Sequence, residues 1–248
     1  ALIMPVKVFQ SNGKADVATI IKGINYAAKN GATVISMSFG SYSNSIALEQ
    51  ALATAYQTSL LVAAAGNDGY HIDPRCCPIA GHKIYDKPLF PAAYTFVLGV
   101  EATQEDGSLA SFSNSDCDGP VYSQYDEDKL YNYELKAPGV GIISTVPGGD
   151  YRSYSGTSMA APLVAGAASL LQSSKQYTSK EVLFGDLIQT LGNNVDFLAA
   201  YNAKAIPQLN IVSVELNDTI SGDKDLRADA GEIVQLYPVI RSVWGATS

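Results

Sequence analysis

The sequence predicts an α/β fold: a parallel sheet with helices on both faces, three layers deep, followed by the start of a β-sandwich-like domain. Three observations carry this. Short segments such as Leu60-Leu61-Val62-Ala63-Ala64 are apolar at every position, which suits strands buried on both faces rather than a half-exposed sheet. Between them lie stretches of helical periodicity long enough to cross back over a sheet, and such crossovers between parallel strands are right-handed in about 98% of cases. After about Ala205-Ile206-Pro207 the pattern changes to alternation, Ile211, Ser213 and Glu215 against Val212, Val214 and Leu216, then Ile233 to Val239.

Taken in order, the apolar run Leu2 to Phe9, with Val6 and Val8, predicts a buried strand. Asp16 is placed to cap a helix whose apolar positions Val17, Ile20, Ile21, Ile24, Ala27 and Ala28 follow helical spacing, and Asn30-Gly31 supplies the stop. A strand from Thr33 to Met37 leads into the loop Ser38-Phe39-Gly40-Ser41. A helix follows from about Ser45 to Gln57, with Ile46, Leu48, Ala51, Leu52 and Ala55 inward. Strand Leu60 to Ala64 runs into Gly66-Asn67-Asp68-Gly69, and Tyr70 to Lys87 reads as loop. Strands are expected at Phe96 to Val100, Leu135 to Ala137 and Ile142 to Val146, around a polar, tyrosine-rich insertion from Asp116 to Tyr133. A loop then enters a helix with no polar face, Ala160 to Leu171, expected to be buried all round and distorted at Pro162. Thr178 and Glu181 read as a capping box for a helix carrying Val182, Leu183, Leu187, Ile188 and Leu191. The domains are accordingly placed at 1–204 and 205–248. The second has too few strands to close a sheet, so both ends are expected to be cut edges of something longer.

Composition excludes several classes. A chain of 248 residues that is 47% hydrophobic can bury a large core and is not disordered. No apolar run reaches membrane-spanning length, and the N-terminus has no signal-peptide pattern. A net charge of −8 without clustered Lys or Arg argues against nucleic acid and anionic membrane as partners. The abundance of Tyr, Asn, Ser and Gly fits a secreted protein. Cys76, Cys77 and Cys117 are too few for a disulfide scaffold; one bridge to Cys117 and three separate thiols both stay open. Asp223, Asp225, Asp229 and Glu232 are weak candidates for structural calcium, because Ala228 stands where an EF-hand loop needs glycine; a solvated turn is the favoured reading.

The stretch that carries chemistry is Ser155-Gly156-Thr157-Ser158-Met159-Ala160-Ala161-Pro162. Ser158 sits at a helix start, where amides lack intrahelical partners and the dipole favours developing negative charge. Acyl transfer by a serine needs a nucleophile, a base, a group that orients the base, and donors for the oxyanion; no cofactor is required.

Gly156 to Pro162, followed by Val164-Ala165-Gly166, closely resembles the active-serine segment of the subtilases, the subtilisin-like serine proteases. Ala137-Pro138-Gly139-Val140 and Ala110-Ser111-Phe112-Ser113-Asn114 resemble structural segments of the same family, and the matches run from about Val6 to Leu171. The resemblance implies that Ser158 is the nucleophile. It also implies that Asn67, in Val62-Ala63-Ala64-Ala65-Gly66-Asn67, supplies the oxyanion donor together with the Ser158 amide. In subtilisin itself, losing that Asn side chain costs about 100- to 1,000-fold in turnover. Ser38-Phe39-Gly40 looks like the edge that pairs with an extended peptide. Ala63, Ala64, Ala65 and Gly66 look like a wall of the primary specificity pocket, with Gly156 and Thr157 also lining the substrate site. Backbone pairing accepts many sequences, so a broad endopeptidase acting on polypeptides is implied. Asp68 at the pocket rim suggests mild tolerance for basic or polar residues before the scissile bond.

One departure matters. The family's Asp-Thr/Ser-Gly turn and His-Gly-Thr-His-like helix start do not occur, and the histidines, His71 and His82, lack the motif's neighbours and read as surface residues. The expectation is an incomplete catalytic unit, inactive alone, whose Asp and His come from an upstream part of the same protein. The alternatives are a catalytically inactive peptide-binding module on the same fold, and an esterase with the same nucleophile.

Overall fold

Residues 2–72, 83–84, 88–116, 121–122, 130–173, 179–191, 208–217 and 235–243 are described by a computed structural model of the chain. It divides into two compact units, residues 1–203 and 204–248. The helices are α1 (Val17–Lys29), α2 (Ile46–Tyr56), α3 (Thr157–Ser173) and α4 (Lys180–Leu191). The strands are β1 (Val34–Met37), β2 (Leu60–Ala64), β3 (Tyr70–His71), β4 (Lys83–Ile84), β5 (Leu98–Thr103), β6 (Val121–Tyr122), β7 (Leu130–Tyr131), β8 (Leu135–Pro138), β9 (Ile142–Val146), β10 (Asp150–Tyr154), β11 (Gln208–Asn217) and β12 (Gln235–Val243).

Caps start the first two helices. Asp16 Oδ1 accepts from Thr19 N at 2.7 Å ahead of α1, and Ser45 Oγ accepts from Leu48 N at 3.3 Å ahead of α2. The main sheet has the order β1-β2-β5-β8, every pair parallel. Strand periodicity divides β2 between two cores. Leu60, Val62 and Ala64 pack with Ala160, Ala161 and Val164 of α3 and Leu183 and Leu187 of α4. Leu61 and Ala63 pack with Ile24 of α1 and Leu48 and Leu52 of α2. Both faces are therefore covered by helices, which is why β2 shows no apolar–polar alternation.

The structure differs from the sequence-based expectations at several elements, and the stretch Tyr70 to Lys87, read as loop, contains the paired strands β3 and β4. Leu2 to Phe9 forms no strand and Ile3 is 91% exposed; among the described residues no strand pairs with this run, and an apolar run without a hydrogen-bonding neighbour cannot be a strand. Instead Val8 leans on α1 at Gly23, where an added Cβ would lie 2.4 Å from Val8 Cγ1. Second, β9 does not join the parallel sheet but pairs antiparallel with β10, so the approach to Ser155 is a hairpin rather than a loop. Third, α3 is not buried all round: Pro162, Gly166 and Leu170, four residues apart, form an exposed stripe. Fourth, α4 is capped by Ser179, whose Oγ accepts from Val182 N at 3.3 Å; Thr178, like His82 and all three cysteines, lies outside the described residues, as do Asp223, Asp225, Asp229 and Glu232. The second unit's β11 and β12 pair antiparallel, with a register shift between Ile211 and Ser213. Among the described residues no helix is long and apolar enough to cross a membrane.

Candidate active site

The site is assembled where β1 and β2 end against the start of α3. Past β2 the chain turns at Gly66, whose φ of +111° disfavours any side chain; an added Cβ would also lie 2.3 Å from Asn114 Nδ2. The turn delivers Asn67 to the first residue of α3. Thr157 N donates to Asn67 Oδ1 at 2.8 Å, and Thr157 Oγ1 donates to the same oxygen at 3.0 Å while accepting from Gly66 N at 3.1 Å. With Oδ1 occupied twice, the amide nitrogen is the donor end of the Asn67 carboxamide. Ser158 follows Thr157, half-buried, in the first turn of α3.

Pro162 does not break α3, and the carbonyl it leaves without an intrahelical donor is met from outside the helix. A carbonyl in an α-helix accepts from the amide four residues on, and for Ser158 that residue is a proline with no N–H. Ser38 Oγ, at the end of β1, donates to Ser158 O at 2.9 Å instead.

The residues expected to bind substrate separate into two groups. Ser38, Phe39 and Gly40 follow β1 beside this helix start, with the Phe39 ring edge-on to Phe9 at 5.6 Å and Gly40 packed against Leu89. Ser41 and Phe90 exchange two backbone hydrogen bonds, at 2.8 and 2.9 Å, which anchor the segment. Gly66, Gly156 and Thr157 cluster around Asn67. Ala63, Ala64 and Ala65, at the end of β2 and just past it, have their side chains sealed in the two cores, so of the stretch Ala63 to Gly66 expected to form a pocket wall only backbone could face a substrate.

Asn114 organises that turn, a role its motif alone did not reveal. Its Oδ1 accepts from Asp68 N at 3.1 Å and Tyr70 N at 3.0 Å, and its Nδ2 donates to Ala65 O and Tyr42 Oη, each at 2.9 Å. Tyr42 Oη in turn donates to Asp68 Oδ2 at 2.5 Å. Burial first, and then this bond to Asp68, pushes the Tyr42 hydroxyl well above the ordinary tyrosine value, so it remains a donor at neutral pH.

His71 is not a surface residue: it is 1% exposed, with Nδ1 3.0 Å from Ser115 Oγ, because the backbone at Tyr70–Ile72 is hydrogen-bonded to Ser115. Nearby elements bury acids as well. Glu101 Oε1 accepts from Asp116 N at 2.9 Å, and Glu134 Oε2 accepts from Gly99 N at 2.6 Å. Burial, with the Asp116 and Glu101 carboxylates nearby, raises the Glu134 carboxyl well above its usual range.

The profile of the Subtilase family matches residues 1–209. The chain is 36% identical over 196 residues to alkaline elastase YaB of Bacillus sp. (strain YaB), covering 77% of this chain and 44% of that protein. It is 37% identical over 169 residues to subtilisin DY of Bacillus licheniformis, covering 68% of this chain and 53% of that protein. The chain thus spans about half the length of these curated relatives. Among solved structures it resembles a cold-adapted subtilisin-like serine proteinase, with a TM-score of 0.60 and 28% identity over 77% of this chain and 62% of that one. The self-cleaved protease domain of PatA is similar at a TM-score of 0.61 and 29% identity, over 80% of this chain and 72% of that one. With the family profile extending over most of the chain and with these neighbours in fold, the chain belongs to the subtilase family.

Proposed function

We propose that this chain carries the nucleophile and oxyanion donors of a secreted, subtilisin-like serine endopeptidase of broad specificity. Ser158 Oγ attacks the peptide carbonyl, and its proton passes to a histidine held by an aspartate. Both of those residues belong to a preceding part of the same protein, because no histidine of this sequence has the family motif around it. Asn67 Nδ2 and the Ser158 amide receive the oxyanion, and the backbone of Ser38 to Gly40 pairs with the extended substrate. The observation that supports the reading is the lock between Thr157 and Asn67, 2.8 Å from amide to carboxamide oxygen, which holds the Asn67 side chain against the residue that precedes Ser158.

The test is reconstitution. Purified residues 1–248 are expected to leave peptides uncut and to ignore a fluorophosphonate, because deleting the base in subtilisin, the reference case, costs on the order of a millionfold. Adding an upstream segment bearing the Asp and His motifs is expected to restore both reactions, and Ser158→Ala to abolish them. Turnover by the chain alone that Ser158→Ala abolishes would mean the base is misassigned. Folded complexes that still resist labelling would identify a peptide-binding module, and matched ester and amide substrates separate a protease from an esterase.

A further inference from the structure

We propose that Ser38 is a positioning residue for Ser158, its hydroxyl replacing the amide hydrogen that Pro162 withholds. The inference builds on the reading of Ser158 as nucleophile, but its geometry stands apart from it. The first turn of α3 is held on two sides. From the end of β2, Gly66 N and Asn67 Oδ1 grip Thr157. From the end of β1, Ser38 Oγ grips the Ser158 carbonyl at 2.9 Å, a bond between residues 120 positions apart in sequence. Without the second bond the turn is pinned on one side only, and the residue that loses its restraint is the nucleophile itself. Ser38 also opens the segment assigned to substrate pairing, so one hydroxyl sets the spacing between the substrate edge and the attacking oxygen. Ser38 is exposed, which makes the bond a small contributor to stability and makes Tm the wrong readout.

The field at the start of α3 can be read without any catalytic base. Ser158→Cys places a thiol there, and thiolate formation at a helix N-terminus is favoured to the extent that the first-turn amides point at it. In residues 1–248, alkylation by iodoacetamide is followed against pH on the proteolytic peptide that carries residue 158. The Ser158→Cys thiol is expected to titrate below the ordinary cysteine value. Adding Ser38→Ala is expected to raise its apparent pKa and slow alkylation at neutral pH by about threefold. Pro162→Ala, which restores an N–H to the helix ladder, is expected to bring the Ser38→Ala profile back, and Ser38→Thr, which keeps the hydroxyl, to leave the profile unchanged. Identical profiles with and without Ser38→Ala overturn the proposal, as does a Ser38→Ala effect that Pro162→Ala fails to reverse, or a parent thiol that titrates like a free cysteine. Since no step requires hydrolysis, failure of the protease reading leaves these outcomes untouched.

Discussion

Three side chains around the β2 turn act through polar bonds that their own motifs do not announce. Asn114 answers two amides, one carbonyl and one hydroxyl with a single carboxamide. Asn114→Ala leaves those partners unmet and is expected to cost about 2–3 kcal/mol in urea unfolding. Thr157 is fully buried and both donates and accepts, so Thr157→Val, nearly equal in shape, strands Gly66 N and loosens Asn67. It is expected to cost about 1–3 kcal/mol and, in the reconstituted enzyme, to lower kcat with little change in KM, by less than Asn67→Ala does. Tyr42 donates to Asp68, the carboxylate proposed for the pocket rim, so on that proposal Tyr42→Phe is expected to raise the kcat/KM preference for Lys over a neutral residue before the scissile bond by about two- to fivefold, the scale of an exposed ion pair. Asp68→Asn in the same background should remove that gain. Equal cleavage after Lys and Glu in wild type would discard the rim charge as a determinant.

At the scale of elements, the starts of α1 and α2 were readable because a cap is a local bond. Asp16 and Ser45 stand where the periodic apolar run begins, and each accepts from an amide three residues on. Ser45→Ala is expected to cost about 1 kcal/mol. The buried carboxyl ahead of β8 was not readable, since what raises it is burial by residues distant in sequence. In the folded state Glu134 holds its proton to higher pH than an unfolded chain does, whose glutamates ionise at about 4.5. The native state therefore binds more protons above that pH, and stability falls as pH rises through the window between the two values. Glu134→Gln keeps an acceptor for Gly99 N and removes the titration. It is expected to flatten the pH dependence and to exceed wild type in urea midpoint at pH 8 while matching it near pH 4.

At the scale of the molecule, the main sheet is open, with β1 and β8 as its two edges among the described residues. β1 is paired with β2 along one edge, and among the described residues no strand pairs with the other. Parallel strands are ordinarily interior, and an open edge invites pairing with another chain. The proposed upstream segment, if it supplies a strand, would have this edge of β1 available for pairing. Expression of residues 1–248 alone is expected to give little soluble protein, and co-expression with the upstream segment to raise both soluble yield and Tm. High solubility and an unchanged Tm would count against a complementing strand.

The amino-acid sequence by itself determined what depends on neighbours along the chain. The apolar strand Leu60–Ala64, the periodic helices with their caps, and the Gly-Thr-Ser motif at a helix start are all patterns of a few residues, and the parallel α/β architecture follows from their alternation. Tertiary structure alone decided what depends on partners far away. It left Leu2 to Phe9 outside any strand, turned Ile142–Val146 into a hairpin and buried His71 against Ser115. It also gave the Ser158 carbonyl a donor from Ser38. A strand exists only with a hydrogen-bonded neighbour, and a buried polar group only with a partner, and neither requirement is written in the residues on either side.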